Sequence, residues 1–427
     1  MNGPELEWNE KQKKGGLKSA FRELTPGKLF AFCVLFGAAW CVLYYFFNPN
    51  AGFEKLFFRS GEDMFMDFFN SVRDAAQFAR VYTERRVIYP PLANLLFLIF
   101  SRFLPASYTD TAFAERLRWR EVPAAYLLIF LYSAAMLLAL YVLLRDSART
   151  RGTFEVLFPL AAVFSFPAVY AVERGNIILL SAILTLFFAA TYQSENRMHR
   201  ELGLICLAAA FGLKLYPALF GWVLIADKRY REAARCAGYG VLFLLIPSFF
   251  FGGPMCLLTM VQNVLRFSSV QDPAGLSNFT TYTAWVLGVP AKALSRVFYL
   301  WCAVCLAAFL LSPFVFREKR WKCFLMGAVL ILTVPSLTSP YSATFLLIPL
   351  LLLAKTPEKH TASDWVYLIW AILPFVPIPN LTKYSTNMIT VYVATGVLSV
   401  YLCAEILIGF FGGLLQKRAG APAAAET

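Results

Sequence analysis

Two carboxylates in the first long polar segment have a spacing that suits acid–base chemistry. Asp63 and Asp67 lie within the stretch GEDMFMDFFN, and on a helix their i, i+4 spacing places both side chains on one face. Carboxylates that share a face repel each other, so one of them binds a proton more readily, as a general base must. The alternative interpretation is an interfacial amphipathic helix with a solvated acidic face and with Phe65, Phe68 and Phe69 in the membrane interface.

A lone cation interrupts a later apolar stretch. Lys214 lies in AAAFGLKLYPALFGW, with no other charged residue within ten positions on either side. A lysine deep in a bilayer costs about 3 kcal/mol unless it is paired or faces an aqueous cavity. Lys214 is therefore a candidate for binding an anionic substrate, and the alternative is that it snorkels to the interface.

The polar tetrad Glu173-Arg174-Gly175-Asn176 stands immediately before another apolar run. Its charges suit a polar site, but a structural role remains open. In that interpretation Glu173 and Arg174 form a simple turn pair, Gly175 brings the backbone close to a neighbour, and Asn176 caps the next helix.

The composition shows which kind of element must position these groups. Of the 427 residues, 59% are hydrophobic and 15% are charged, and the mean hydropathy is +0.59. Such a chain is an integral membrane protein. The net charge of +13 lies in short clusters between apolar runs, as in cytoplasmic loops, so no nucleic-acid partner is expected.

Apolar stretches recur along the chain and predict an all-α polytopic membrane protein with about 11 to 13 transmembrane helices. Residues 1–28 are interpreted as a basic cytoplasmic tail, 29–415 as the membrane domain and 416–427 as a cytoplasmic C-terminal tail. The stretches lie near 29–47, 88–104, 123–144, 154–172, 176–193, 201–226, 236–252, 291–316, 323–339, 341–355, 364–379 and 386–412.

Basic clusters predict the orientation of the chain, provided that two of the apolar stretches do not each cross the membrane as a single span. The prediction requires 88–104 to be re-entrant and 201–226 to be two half-helices hinged near Pro217. The first outer loop, 48–87, then faces the non-cytoplasmic side with the tetrad 173–176, the second outer loop 253–290, and residues 336–342.

Several soluble chemistries have no support in the sequence. Neither a phosphate-binding glycine loop nor a Cys or His spacing typical of metal sites is present, and His199 and His360 lie beside charged loop residues. The nine cysteines are interpreted as core residues. What remains is an enzyme acting on a lipid-linked substrate or a transporter, and no internal repeat favours a transporter.

Five segments, taken in order, resemble glycosyltransferase family 87. They are MDFFNSVRDA, IYPPLANLLF, ERGNIILLSAILTLFF, AAAFGLKLYPALFGWVLI and SLTSPYSATFLLIPLLLL. The RGN and FGLKLYP pieces are also similar to the catalytic subunit of GPI mannosyltransferase I. The resemblance spans about residues 30 to 410.

The resemblance implies a GT-C fold whose first outer loop carries the catalytic carboxylate. Asp67 matches the position of the family's aspartate, with Asp63 as a second acidic residue, and Lys214 or Arg174 would bind the donor phosphate. The substrate cavity would be shaped by a group of mostly aromatic residues: Tyr89, Pro90, Asn176, Tyr216 and Tyr341.

The implied activity is inverting transfer of a mannose-like sugar from a polyprenyl phosphate to a hydroxyl of a lipid or glycan acceptor. The expected partners are that donor, that acceptor and membrane lipids, in a bacterial plasma membrane with the active site on the outer face. The D-x-D pattern of some relatives is absent, so a divalent cation is compatible with the sequence but not required by it, and no metal ligand is assigned. A flippase for a lipid-linked sugar, or a non-catalytic scaffold, remains an alternative.

Overall fold

The computed structural model describes eight stretches of the chain and is helical throughout them, with no strand in those ranges. This arrangement is an all-α polytopic membrane protein, as the sequence predicts. The described ranges are 25–48, 64–109, 121–147, 154–271, 278–334, 338–356, 360–379 and 386–418.

Eighteen α-helices are numbered here in chain order over the described ranges. The first nine are α1 Pro26–Phe47, α2 Met66–Ala76, α3 Pro91–Ser101, α4 Ala106–Thr109, α5 Pro123–Ser147, α6 Phe154–Phe164, α7 Phe166–Arg174, α8 Ile178–Thr191 and α9 Arg197–Leu213. The others are α10 Trp222–Ala226, α11 Tyr230–Ser248, α12 Met255–Gln271, α13 Asn278–Leu287, α14 Ala291–Val315, α15 Arg320–Thr333, α16 Leu347–Lys355, α17 Ala362–Ile372 and α18 Thr386–Arg418. Short 3₁₀ helices include Tyr216–Gly221 and Pro340–Leu346.

Five of the described helices are long and apolar enough to cross a membrane alone: α1, α5, α11, α14 and α18. The pair α6 and α7, bent by 48°, meets the same criterion only when the two helices are taken together. The other apolar helices have only 10 to 17 residues. Continuous spans are therefore fewer than the 11 to 13 transmembrane helices expected, because prolines and site residues interrupt several of the apolar stretches.

Two of the interruptions coincide with the predicted irregular segments. α3 has 11 residues, a length of about 17 Å, which is too short for a hydrocarbon core of about 30 Å. α9 ends at Leu213, and the 3₁₀ helix that follows it carries Pro217 in its first turn. An added Cβ at Gly221 would meet the side chain of Leu207, so the chain folds back beside α9.

The helices bury two main groups of apolar side chains. The larger group joins α1, α6, α8, α15, α16 and α18, and the second joins α2, α3, the start of α5 and the start of α12. All nine cysteines are free thiols, and five of them are buried. Many large apolar side chains on α1, α5 and α14 remain exposed, as expected for lipid-facing surfaces.

The bundle has two distinguishable ends. One end, called the site end below, carries the first turns of α2 and α8 and the last turn of α9. The opposite end carries the last turns of α8, α10 and α16 and the first turn of α15, where Arg229 donates to the carbonyl of Tyr192 and Arg320 pairs with Asp227. α8 therefore has one terminus at each end.

Candidate active site

The site is built around the tight turn that ends α7. Gly175 has φ = +65°, and the next amide, of Asn176, donates to the carbonyl of Ala171 at 2.9 Å. This is the hydrogen-bond pattern of a helix that stops at a left-handed glycine. The turn sends Arg174 and Asn176 out on either side of Gly175, and both side chains reach the same acceptor.

That acceptor lies on α2, whose first turn docks on the α7 turn. The amide of Phe65, itself left-handed at φ = 61°, donates to the carbonyl of Glu173 at 2.7 Å. A Cβ added to Gly175 would lie 2.6 Å from the Cβ of Phe68. Only glycine therefore allows the two backbones to come this close.

Asp67, the second residue of α2, is held through both carboxylate oxygens. Arg174 donates to Oδ1, and the side-chain amide of Asn176 donates to Oδ2 at 2.7 Å. The side chains of Arg174 and Asp67 are 18% and 17% exposed. The solvated acidic face considered for α2 is therefore not observed, and Phe68 and Phe69 are buried in the protein rather than placed in an interface.

Asn176 connects Asp67 to two tyrosines from distant parts of the chain. Its amide nitrogen lies 3.2 Å from the hydroxyl of Tyr89 and 3.1 Å from that of Tyr341. Its side-chain oxygen accepts from the backbone amide of Ile178 at 3.0 Å, which also caps the start of α8. The capping role considered for Asn176 and its place in the polar site are therefore both present.

Lys214 approaches the same cluster from the end of α9. Its ammonium nitrogen lies 4.2 Å from the ring centroid of Tyr89, a cation–π contact. The residue is extended at the helix C-cap. A cation and a carboxylate thus face one small region of the site end.

The segment that carries Tyr89 is fixed by two asparagines that sequence reasoning missed. Asn94 is fully buried and donates to the Tyr82 hydroxyl at 2.8 Å and to the Tyr89 carbonyl at 3.2 Å. Asn263, on α12, donates to the Tyr82 carbonyl at 2.8 Å. The only signal in the sequence for Asn94 was an isolated amide within an apolar stretch, whereas Asn263 stands beside Gln262 in the predicted second outer loop.

Both tyrosines of this segment stand outside the membrane-spanning helices. Burial raises the pKa of the Tyr82 hydroxyl above its ordinary value, and burial together with the Asp67 charge raises the pKa of the Tyr89 hydroxyl. Each hydroxyl therefore stays neutral and keeps its proton for hydrogen bonding.

Most of the predicted site residues converge in this structure. Asp67, Arg174, Asn176, Tyr89 and Tyr341 form one hydrogen-bonded group, and Lys214 contacts its edge. Pro90 is the N-cap of α3 beside Tyr89. Tyr216 opens the 3₁₀ helix after Lys214, with its ring 6.2 Å from that of Phe345. Asp63 lies outside the described residues.

The carboxylate of the site keeps acceptor positions that acid–base chemistry can use. An ionised carboxylate offers about four acceptor positions, and the protein fills two of those on Asp67. A substrate hydroxyl can therefore still donate to Asp67. Within the described ranges, no group of three or more His, Cys, Asp or Glu side chains is arranged to hold a metal ion.

Comparison with known proteins gives one match. The model of glycosyltransferase family 87 matches residues 88–340, more than half of the chain. The matched range contains Tyr89, Arg174, Asn176 and Lys214, whereas Asp67 precedes it and Tyr341 follows it directly. Comparison with curated proteins and with solved structures finds no match.

Proposed function

This chain belongs to glycosyltransferase family 87, and we propose that it moves a mannose-like sugar from a polyprenyl phosphate to a hydroxyl of a lipid or glycan acceptor. Membership makes the protein a membrane glycosyltransferase that uses a sugar donor and an acceptor. The donor lipid, the sugar and the acceptor class belong to the proposal.

The observation that carries the proposal is the convergence of one carboxylate and one lone cation at the site end. Asp67 is oriented through both oxygens, by Arg174 and Asn176. Lys214 lies against Tyr89, which contacts the same asparagine. A glycosyl transfer needs a base for the incoming hydroxyl and a positive group for the departing phosphate, and these residues supply both.

In the proposed reaction Asp67 takes the proton of the acceptor hydroxyl as that oxygen attacks the anomeric carbon of the sugar. The new C–O bond forms as the bond from the anomeric carbon to the phosphate oxygen breaks, and the electron pair leaves with the polyprenyl phosphate. Lys214 stabilises the charge on that phosphate by charge-assisted hydrogen bonds. A single displacement of this kind inverts the anomeric configuration.

In the proposed reaction Arg174 and Asn176 act as positioning residues for the base. Each occupies one carboxylate oxygen, so the orientation of Asp67 is set before the acceptor arrives. Tyr89 and Tyr341 then form the wall beside which the sugar lies.

We place the site at the non-cytoplasmic face, in a bacterial plasma membrane. Support comes from the short connections at the opposite end, which carry the basic clusters Lys228–Arg235 and Arg317–Lys322. Basic residues in short loops favour the cytoplasmic side.

The test is sugar transfer by the purified protein in nanodiscs supplied with a panel of polyprenyl-phosphate sugars and extracted membrane lipids. Asp67→Asn keeps the shape of the side chain but removes the base, so we expect the transfer rate to fall by about 10²- to 10⁴-fold. Binding of the donor to the variant should persist. Asp74→Asn is the matched control, because Asp74 lies on the same helix and pairs with Arg73 instead.

The outcomes separate the candidate functions. Product from wild type and Asp74→Asn, but not from Asp67→Asn, supports a transferase with Asp67 as its base. Donor exchange across the bilayer without product from any variant would replace the proposal with a flippase. Equal transfer by wild type and Asp67→Asn would remove Asp67 from the mechanism.

A further inference from the structure

A large cavity lies at the opposite end of the bundle, remote from Asp67. Its volume is about 980 Å³, and its walls come from the ends of α8, α10, α14 and α16 and from the start of α15. α8 separates it from Asn176 by 14 residues, or about 21 Å. The cavity is therefore separate from the proposed active site.

The charges around this cavity are unbalanced. Arg320 is neutralised by Asp227 and also donates to the carbonyl of Pro313 at 2.6 Å. Among the described residues, three other basic side chains line the cavity, Lys228, Arg317 and Lys355, and a single further carboxylate, that of Glu318, accompanies them. All three basic residues are exposed. Cations gathered in this way attract an anion.

The backbone at Lys228 adds a second observation. Lys228 has φ = 59° and occupies the position after α10 where the amides of Lys228 and Arg229 donate back to Ile225 and Leu224. That position strongly favours glycine, because a side chain is strained there. Here the strained position presents an ammonium group to the cavity, and such strain is often found at binding sites.

Apolar side chains beside the cations identify the source of the anion. Phe314 and Leu352 line the cavity, and Phe314 is 47% exposed near the end of α14, one of the membrane-spanning helices. A free phosphate gains nothing from contact with an apolar wall, whereas an acyl chain packs against it favourably. Charge and apolar surface thus meet where a lipid headgroup joins its chains.

We propose that this cavity binds an anionic phospholipid from the leaflet at the opposite end, with its phosphate held by Lys228, Arg317 and Lys355. The site is independent of the transfer chemistry, and its occupant is a structural or regulatory lipid rather than a substrate.

The experiment uses the full chain in nanodiscs of phosphatidylcholine with and without phosphatidylglycerol. Native mass spectrometry counts the lipid retained after extraction, and titration gives its affinity. Removing a cation should weaken phosphatidylglycerol binding about five-fold, so the Arg317→Gln/Lys355→Gln double variant should lose about thirty-fold. Arg145→Gln is the matched control, because Arg145 is an exposed cation in the last turn of α5 that does not line the cavity.

Lys228→Gly separates binding from folding. Glycine relieves the strained backbone, so this variant should unfold at a temperature about 2 °C higher than wild type and yet bind phosphatidylglycerol about five-fold more weakly. If Lys228 had only a structural role, the variant would gain thermal stability without losing affinity for phosphatidylglycerol. Equal lipid retention by wild type and the double variant would overturn the proposal. Competition by inorganic phosphate as effective as that by phosphatidylglycerol would also overturn it, in favour of a free anion.

Discussion

Substituting Gly175 with alanine tests whether the contact between the α7 turn and α2 positions Asp67, the proposed catalytic carboxylate. The added Cβ would stand 2.6 Å from the Cβ of Phe68, whereas ordinary contacts begin at 3.4 Å. Phe68 must then retreat by about 0.8 Å. Because Asp67 precedes Phe68 on the same helix, it moves with it and loses its alignment with Arg174 and Asn176.

The expected cost has two parts. A left-handed conformation costs an L residue about 1–2 kcal/mol, and forcing a group into a packed contact costs about 1–3 kcal/mol. We therefore expect Gly175→Ala to lower the free energy of unfolding by about 2–5 kcal/mol. A displacement of about 1 Å at reacting groups costs about 10²-fold in rate, so kcat should fall by a similar factor.

The assay combines thermal unfolding in detergent with sugar-transfer kinetics at a temperature at which every variant is folded. Gly238→Ala is the matched control, because a Cβ added at this helical glycine meets nothing within 4 Å. It should leave kcat unchanged and stabilise the protein by up to about 1 kcal/mol. Wild-type kcat in folded Gly175→Ala protein would refute the view that this contact sets the position of Asp67.

Three further predictions concern residues outside that contact. Lys214→Met should lower kcat by about 10²- to 10³-fold with little change in unfolding, because it removes the proposed phosphate cation, and Lys214→Arg should retain more activity; equal rates for both variants would contradict the role. Asn263→Leu should cost about 1–3 kcal/mol by leaving the Tyr82 carbonyl without its donor, measured by thermal unfolding with Asn263→Gln beside it. Glu405→Gln should lower the free energy of unfolding by about 1–2 kcal/mol, since Lys322 is 2% exposed and loses its 2.6 Å partner. Adding Lys322→Met should recover part of the loss. Strictly additive effects in the double variant would argue against coupling between Glu405 and Lys322.

The sequence was most informative where a polar residue interrupts an apolar run. Lys214 and the tetrad at 173–176 were identified for this reason, and both reach the site end. Tyr89 and Tyr341 were assigned through the family resemblance, and both contact Asn176. The convergence of residues as far apart as Asp67 and Arg174, 107 positions along the chain, is a tertiary property that local patterns do not contain.

Other features could not be inferred because they depend on what a residue meets after folding. The break in the apolar stretch at 201–226 was predicted from the basic clusters and Pro217, but hydropathy alone did not show that the chain would fold back beside α9. Nor did it show that Asn94 and Asn263 would bind the segment carrying Tyr89, because an amide looks the same in the sequence whether it fixes a loop or faces lipid.

The shortness of α8 has a consequence for the membrane itself. Its 14 residues span about 21 Å, whereas a bilayer core is about 30 Å thick. If Tyr192 is level with one layer of headgroups, Asn176 and Asp67 lie several ångströms below the other, so the proposed sugar-phosphate donor must sink to reach them or the bilayer must thin around the protein. Lipids with shorter chains reduce that distance, which makes acyl-chain length a physical control on how readily the donor enters.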